Sequence, residues 1–509
     1  MTNSKIKIKY KVFLNVFFFL LILVGVSSCR KKAIITNEEL IKPNPIFKEK
    51  ITPEIQAIID LSYNFNFDES LKKLQALKKK SDVQEIYLLD LLTVGTLFWQ
   101  YIAAVTEEEN NKARDSFANI VGEIKTRTES ELEKTPDSLK ALYLLGFVEG
   151  SQSKFYAIEG DFFKAYRFGV KGFNRLKKIE KLNPDDFDTQ FGIGLYKYYC
   201  ATLLPRWFQR LSVFVPGIDI DREGGYIRIK LANKYAYLLK VEAELALAQG
   251  NSSYEREFQL GFELSEQIHK RYPENRVFAY THIVSMYYLG QNEIYKGKPE
   301  KALKTLNKGL RLANENKSFR MHIKKKRYLT ADMRWKSDLP SEHEVIFALY
   351  LEIARIHFYL NEQILADQIL KEGGNKDVLG RNIKAALYFE LGRQHKILGK
   401  EDYKEYILKA AEIAGENSEI ASHCKTFLGS NFVLPEPEYE LFKLHQKIVL
   451  GKVTIEDVLA VKKKYEKVEY SNYEYNFYEI MMQFYTIAGN HILAEKYHDE
   501  VRVHAQLDK

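Results

Sequence analysis

Histidine, carboxylate and thiol groups are what this sequence has for holding a metal, moving a proton or taking a covalent group. His491 and His498 stand seven residues apart, a spacing that places two imidazoles on one helix face. No cysteine or clear third ligand accompanies them, so no metal is expected. Asp185 and Asp186 follow Pro184 at what reads as a helix start, where carboxylates favour the helix dipole over acid/base chemistry. Familiar catalytic patterns are absent: no His-Glu-x-x-His, no G-x-S-x-G, no phosphate loop and no dinucleotide fingerprint. Gly192 and Gly194 lack a third glycine and a preceding strand, and Gly290 and Gly297-Lys298 have the wrong spacing for a phosphate loop. The sequence therefore predicts a binding protein with no catalytic residue and no cofactor.

Two features have the chemistry of binding. Tyr196, Tyr198, Tyr199, Trp207 and Phe208 form an aromatic cluster. Such residues dominate protein-binding hot spots, although a helical aromatic stripe more often fills a core, and both readings stay open. Lys324-Lys325-Lys326-Arg327 is a basic run, read first as a solvated loop and second as a contact for anionic lipid.

The N-terminus carries the one expected covalent modification. Lys5, Lys7, Lys9 and Lys11 precede an apolar run from Val12 to Val26, interrupted by Asn15 and Gly25. That run is short for a spanning helix, which needs roughly 20 apolar residues, and has the build of an export signal. Val26-Ser27-Ser28-Cys29 then resembles the lipobox of bacterial lipoproteins. The resemblance implies a diacylglyceryl thioether on Cys29, cleavage after Ser28 and acylation of the new terminus. Several acyl chains anchor far better than one. Arg30, Lys31 and Lys32, then Pro43 and Pro45, read as a tether over 29–50. No acidic residue follows Cys29 directly. The localisation expected is the bacterial cell envelope, lipid-anchored to the outer membrane and facing the periplasm.

The elements behind these residues are helices. Glycine and proline number only 27 and 12 in 509 residues, while 46% of the chain is hydrophobic, so long apolar-periodic segments run with few turn-formers. The net charge of +8 is concentrated partly in the signal and tether. The remainder is mixed Lys and Glu, as in Glu131-Leu132-Glu133-Lys134, which reads as helix surface and not as a nucleic-acid stripe. Cys200 and Cys424 read as buried small apolar residues, with a disulfide between them open but unsupported.

Internal repeats organise these helices. Between Met286 and Gly309, Gly290 permits close helix approach and Gly297 ends a first helix. Ala302, Leu306 and Gly309 then form a small-large-small face on a second. That spacing, within a roughly 34-residue unit, resembles the tetratricopeptide repeat. Ala354, Asn361, Ala366, Leu370 and Gly373 repeat it, and Gly392, Gly399 and Ala411 repeat it again. Near the C-terminus Gly489 and Ala494 match, with His498 departing from the pattern. Pro136, Pro184 and Pro273 are read as first-turn residues of three further helices. Tyr63 to Glu69 reads as a turn before a second helix carrying Leu71, Leu74 and Leu77.

The expected architecture is an all-α, tetratricopeptide-like solenoid of stacked antiparallel helix pairs. Residues 1–28 form the signal and 51–320 an N-terminal helical region, with an insertion around 200–225. Residues 340–509 form a C-terminal helical region. The insertion, with Asp221-Arg222-Glu223-Gly224-Gly225 opening a helix, resembles a stretch of uncharacterised bacterial tetratricopeptide proteins. The partners expected are a membrane, through the lipid, and another protein or peptide segment, with no nucleic acid. A second reading is a solute-capturing lipoprotein similar to the SusD-like family, working with an outer-membrane transporter. The scarcity of loops rich in Gly, Asn and Pro argues against it. An enzyme with an unfamiliar site in the insertion ranks last.

Overall fold

Helix ends are set by turns and side-chain caps. In this computed structural model, which describes residues 42–47, 51–81, 83–104, 106–203, 220–315, 342–376, 379–416, 418–429, 436–465 and scattered positions between 481 and 497, Thr106 and Glu109 form a reciprocal capping box. Pro136, Pro184 and Pro273 do not open helices as the sequence suggested. Each sits in a tight turn ahead of a helix beginning three residues later. Two of these turns are closed by Ser138 N–H to Thr135 O and Asn275 N–H to Tyr272 O, both 3.1 Å, where proline's fixed φ suits the second turn position. The caps are the residues after the turn. The Asp186 carboxylate accepts from Thr189 N–H at 2.8 Å, and Asn275 Oδ1 accepts from Val277 and Phe278 N–H.

Nineteen α-helices are described, and no strand is found among the described residues. They fall into successive pairs: α1 (Pro53–Tyr63) with α2 (Phe67–Lys78), α3 (Val83–Ala103) with α4 (Glu107–Lys134), and α5 (Leu139–Ile158) with α6 (Phe162–Leu182). Next come α7 (Phe187–Leu203) with α8 (Arg222–Tyr235), α9 (Lys240–Ser253) with α10 (Phe258–Arg271), and α11 (Arg276–Tyr295) with α12 (Pro299–Glu315). The last are α13 (Glu342–Tyr359) with α14 (Gln363–Gly374), α15 (Arg381–Ile397) with α16 (Tyr403–Ala414), α17 (Glu419–Gly429), and α18 (Glu436–Val449) with α19 (Ile455–Tyr465). First helices also pack on following first helices, as α3 on α5, α9 on α11, α11 on α13 and α13 on α15, whereas second helices do not pack closely on one another. The first helices therefore line the inner side of a tetratricopeptide-like α-solenoid.

Several of the repeat positions sit at buried helix crossings. Ala302, Leu306, Ala354, Ala366 and Leu370 are fully buried. A Cβ on Gly290 would lie 2.5 Å from Leu306, and one on Gly392 would lie 2.6 Å from Ile407, so both glycines let a facing large residue fill the crossing. Among the repeat positions, Gly297, Asn361 and Gly399 are left-handed residues that follow first helices. Ala494 is buried, while Gly489 and His498 lie outside the described residues.

Two large apolar clusters form the core. One runs from Ile46 to Leu247 and the other from Ile283 to Val449, on both sides of the expected boundary at 320–340. The helix over Glu85–Ala103 is long and apolar enough to cross a membrane by composition, and it supplies Leu88, Leu91, Val94 and Leu97 to the first cluster. The end of the expected tether is docked: Ile46 N–H donates to Asp186, and the Phe47 ring meets Tyr143 edge-on at 5.5 Å. The first repeat also closes on a distant one. Asn275 Nδ2 donates to Tyr63 O at 2.9 Å, and Tyr272 Oη donates to Asp60 at 3.2 Å.

Candidate binding surface

Several ionisable side chains stand on the first helices, the inner surface of the solenoid, and burial shifts their pKa values. Lys154 on α5 is exposed, but burial lowers its ammonium pKa against the pull of Glu242. Glu242 on α9 and Glu352 on α13 are half-buried, and desolvation raises both carboxyls. Tyr287 on α11 and Tyr359 on α13 are likewise raised by burial. His445 on α18 is lowered to about 4, by burial and then by the charges of Arg355 and Arg393.

The described part of this surface over α11, α13 and α15 is occupied by the chain itself. Helix α18 packs against α11 and α13. His445 stacks on Tyr359 with centroids 5.7 Å apart, and Gln446 Nε2 donates to Tyr359 O and to Asn361 Oδ1, both at 3.1 Å. Beneath lies a charged seam. Arg393 grips Glu390 through two bonds of 2.8 Å, and Arg355 lies 3.5 Å from both Glu390 and Glu352. Burial alone would raise Glu390, but the two guanidiniums outweigh it and hold the carboxyl at about 2. The seam mixes both signs, with its buried carboxylate fully paired.

At the other end, α1, α3, α5 and α9 enclose a recess. Tyr63, Trp99 and Phe147 form aromatic walls, Leu91, Leu92 and Ile59 add aliphatic ones, and Glu242 stands at the base. Tyr63 Oη donates to Glu242 Oε1 at 2.5 Å. Nearby, Asp188 accepts backbone N–H groups of Tyr237, Leu238 and Leu239 at 2.8–3.1 Å, fixing the turn that leads into α9. Burial, and then the Asp186 charge, push Asp188 up to about 7 despite those bonds.

The aromatic cluster read from the sequence does not form one platform among its described members. Tyr196 stacks on Phe173 of α6 at 4.4 Å. Tyr198 is buried, donates to Glu255 at 2.7 Å and meets Tyr226 and Tyr254. Tyr199 is half-buried, and burial pushes its hydroxyl up to about 12. Neighbouring helical residues diverge by about 100° each, so Tyr196 turns to Phe173 while Tyr198 and Tyr199 meet edge-on at 5.8 Å on the other side. Trp207, Phe208 and the lipidation residue Cys29 lie outside the described residues. Cys200 and Cys424 are not joined in a disulfide. Among the described residues no group of three or more His, Cys, Asp or Glu is arranged to hold a metal.

Lys154, Glu242, Arg355, Glu390, Arg393 and His445 were not singled out from the sequence. The one available signal was spacing: Tyr143, Phe147, Gly150 and Lys154 recur every three to four residues and so share a helix face.

No protein-family model matches the sequence, and no curated protein does. Among solved structures, the human IFIT1 dimer with PPP-AAAA matches over 91% of this chain and 92% of its own, at 13% identity and a TM-score of 0.30. The IFIT1 monomeric mutant with Gppp-AAAA matches over 88% and 90%, at 14% identity and a TM-score of 0.29. So loose a superposition carries no weight for what this chain binds.

Proposed function

We propose that this chain is a lipid-tethered, tetratricopeptide-like scaffold that holds a segment of a partner protein along its inner helices. The observation that carries the reading is α18. A helix already lies across α11 and α13, held by a ring stack, side-chain bonds to the Tyr359 carbonyl and Asn361, and apolar contacts of Val449. That surface has the relief and polarity to receive a helical segment, as helix-in-groove recognition requires. The interspersed carboxylates and cations of the inner face favour a protein over a polyanion. Anchorage rests on the lipobox-like Val26-Ser27-Ser28-Cys29, which assigns the scaffold to the bacterial envelope, most simply the outer membrane facing the periplasm. The reading includes no catalysis and no nucleic acid.

The test is a crosslinking pull-down from envelope membranes with intact protein and Cys29→Ser, alongside labelled-palmitate incorporation. One stoichiometric protein partner, together with label that requires Cys29, is expected. Small molecules co-purifying without any protein partner would overturn the scaffold. Absence of label on Cys29 would overturn the anchor.

A further inference from the structure

The recess at Glu242 is separate from the surface that α18 covers. It offers about 40 Å³ of room, where one water needs roughly 10–15 Å³. That is enough for an ammonium head and the first carbons behind it. Its walls are almost wholly apolar, and Ser62 and Thr96 already bond each other at 2.8 Å. Glu242 Oε2 is the exception, because it is shielded and accepts no hydrogen bond among the described residues. A carboxylate oxygen left so costs about 1–3 kcal/mol. Glu242 lines the recess with Oε1 held by the Tyr63 hydroxyl and Oε2 left to take a donor.

Two further features define what fits. Tyr63 and Trp99 meet edge-to-face at 5.9 Å and, with Phe147, give the recess π surfaces that favour a cation. Lys154 shares the α5 face with Phe147, is exposed, and is coupled electrostatically to Glu242 without a direct ion pair. Between Phe147 and Lys154 on that face stands Gly150, where an added Cβ would meet nothing within 4 Å. A path thus runs from an acceptor in an aromatic recess, past open space, to a cation.

We propose that this path is a binding site for a small linear zwitterion, with its ammonium on Glu242 between the rings, its alkyl spacer past Gly150 and its carboxylate on Lys154. A lone amine would meet the opposing field of Lys154, and a lone acid would leave Glu242 unanswered. The site answers both charges at once.

Isothermal titration calorimetry of the full chain with glycine, 4-aminobutyrate and 6-aminohexanoate, against pentylamine and hexanoate, tests it. One of the longer amino acids binds saturably, and both single-headed analogues bind at least about tenfold more weakly, a difference of roughly 1.4 kcal/mol. Glu242→Gln and Lys154→Met each weaken binding by a similar factor. Gly150→Leu, which touches neither charge, abolishes binding, whereas Gly150→Ala keeps both fold and binding. That glycine pair decides the matter should Glu242→Gln fail to fold. No binding of any amino acid at millimolar concentration, or pentylamine binding as well as the zwitterions, overturns the proposal.

Discussion

Gly297 and Gly451 press against each other so closely that a Cβ on Gly297 would lie 2.8 Å from Gly451 Cα. Both have φ in the left-handed region, +66° and +63°. The turn after α11 and the turn after α18 are thus fitted backbone to backbone, and this contact helps lay α18 on the inner helices.

Gly297→Ala therefore incurs two costs, the left-handed strain of about 1–2 kcal/mol and a clash with backbone that has little room to yield. Gly399→Ala has the same kind of φ but nothing within 4 Å of the added methyl, so it incurs the strain alone. Urea denaturation of both variants is expected to show the larger loss for Gly297→Ala. Hydrogen exchange should place the extra opening in α18. Equal losses would remove the backbone contact from the account.

Asn275 joins the first repeat to the eleventh helix. Its Oδ1 caps α11 and its Nδ2 donates to Tyr63 O. Asn275→Asp keeps the cap and loses the donor, and Asn275→Ala loses both. Stability is expected to fall in the order Asn275, Asp, Ala. The cap is worth about 1 kcal/mol, and the buried Tyr63 carbonyl left unpaired costs about 1–3 kcal/mol. Thermal melts read the order, and hydrogen exchange in α1 should rise in both variants.

Glu390→Gln leaves Arg393 without its buried counter-charge and Arg355 with Glu352 alone, a loss of about 3 kcal/mol at neutral pH. The folded carboxyl titrates at about 2, below its ordinary value of 4.5. Its contribution is present above pH 4.5 and is lost as pH falls towards 2. The gap between wild type and variant is expected to be level above pH 5 and to narrow in acid, as followed by denaturant midpoints.

Two histidines give opposite pH dependence. Burial, and then the charge of His269, lower His282 to about 3, so between pH 6.5 and 3 the unfolded chain binds the extra proton. Stability then falls by up to about 1.4 kcal/mol per pH unit on acidification, and His282→Gln flattens that slope. Burial would lower His395 too, but its bonds to Asp367 (2.9 Å) and Asp402 (2.7 Å) raise it. Its contribution is full below pH 6.5 and lost as pH rises through the folded pKa. The advantage of wild type over His395→Gln is expected to vanish on the alkaline side.

The C-terminal repeats were legible because small residues at helix crossings are a local signature: Gly290 faces Leu306 and Gly392 faces Ile407 within one unit each. The three prolines were assigned to the wrong side of the helix start, since a proline turn followed by a capping residue resembles a first-turn proline in sequence. The inner surface was not legible. Its members come from helices far apart in sequence, as Tyr63 on Glu242, 179 residues away, shows, and each alone reads as an ordinary amphipathic position. Tyr198 shows the converse, because an aromatic that looks like a binding residue in sequence is held inside by Glu255, Tyr226 and Tyr254.

The central claim is that the partner lies on the first-helix side. A photoreactive amino acid placed singly at Gly150 or Lys154 on the open face of first helix α5, and at Ile364 or Leu408, exposed on second helices, is read by crosslinking in native envelope membranes. One protein is expected to be captured from the inner positions and not from the outer pair. Capture from Ile364 and Leu408 alone would contradict the account.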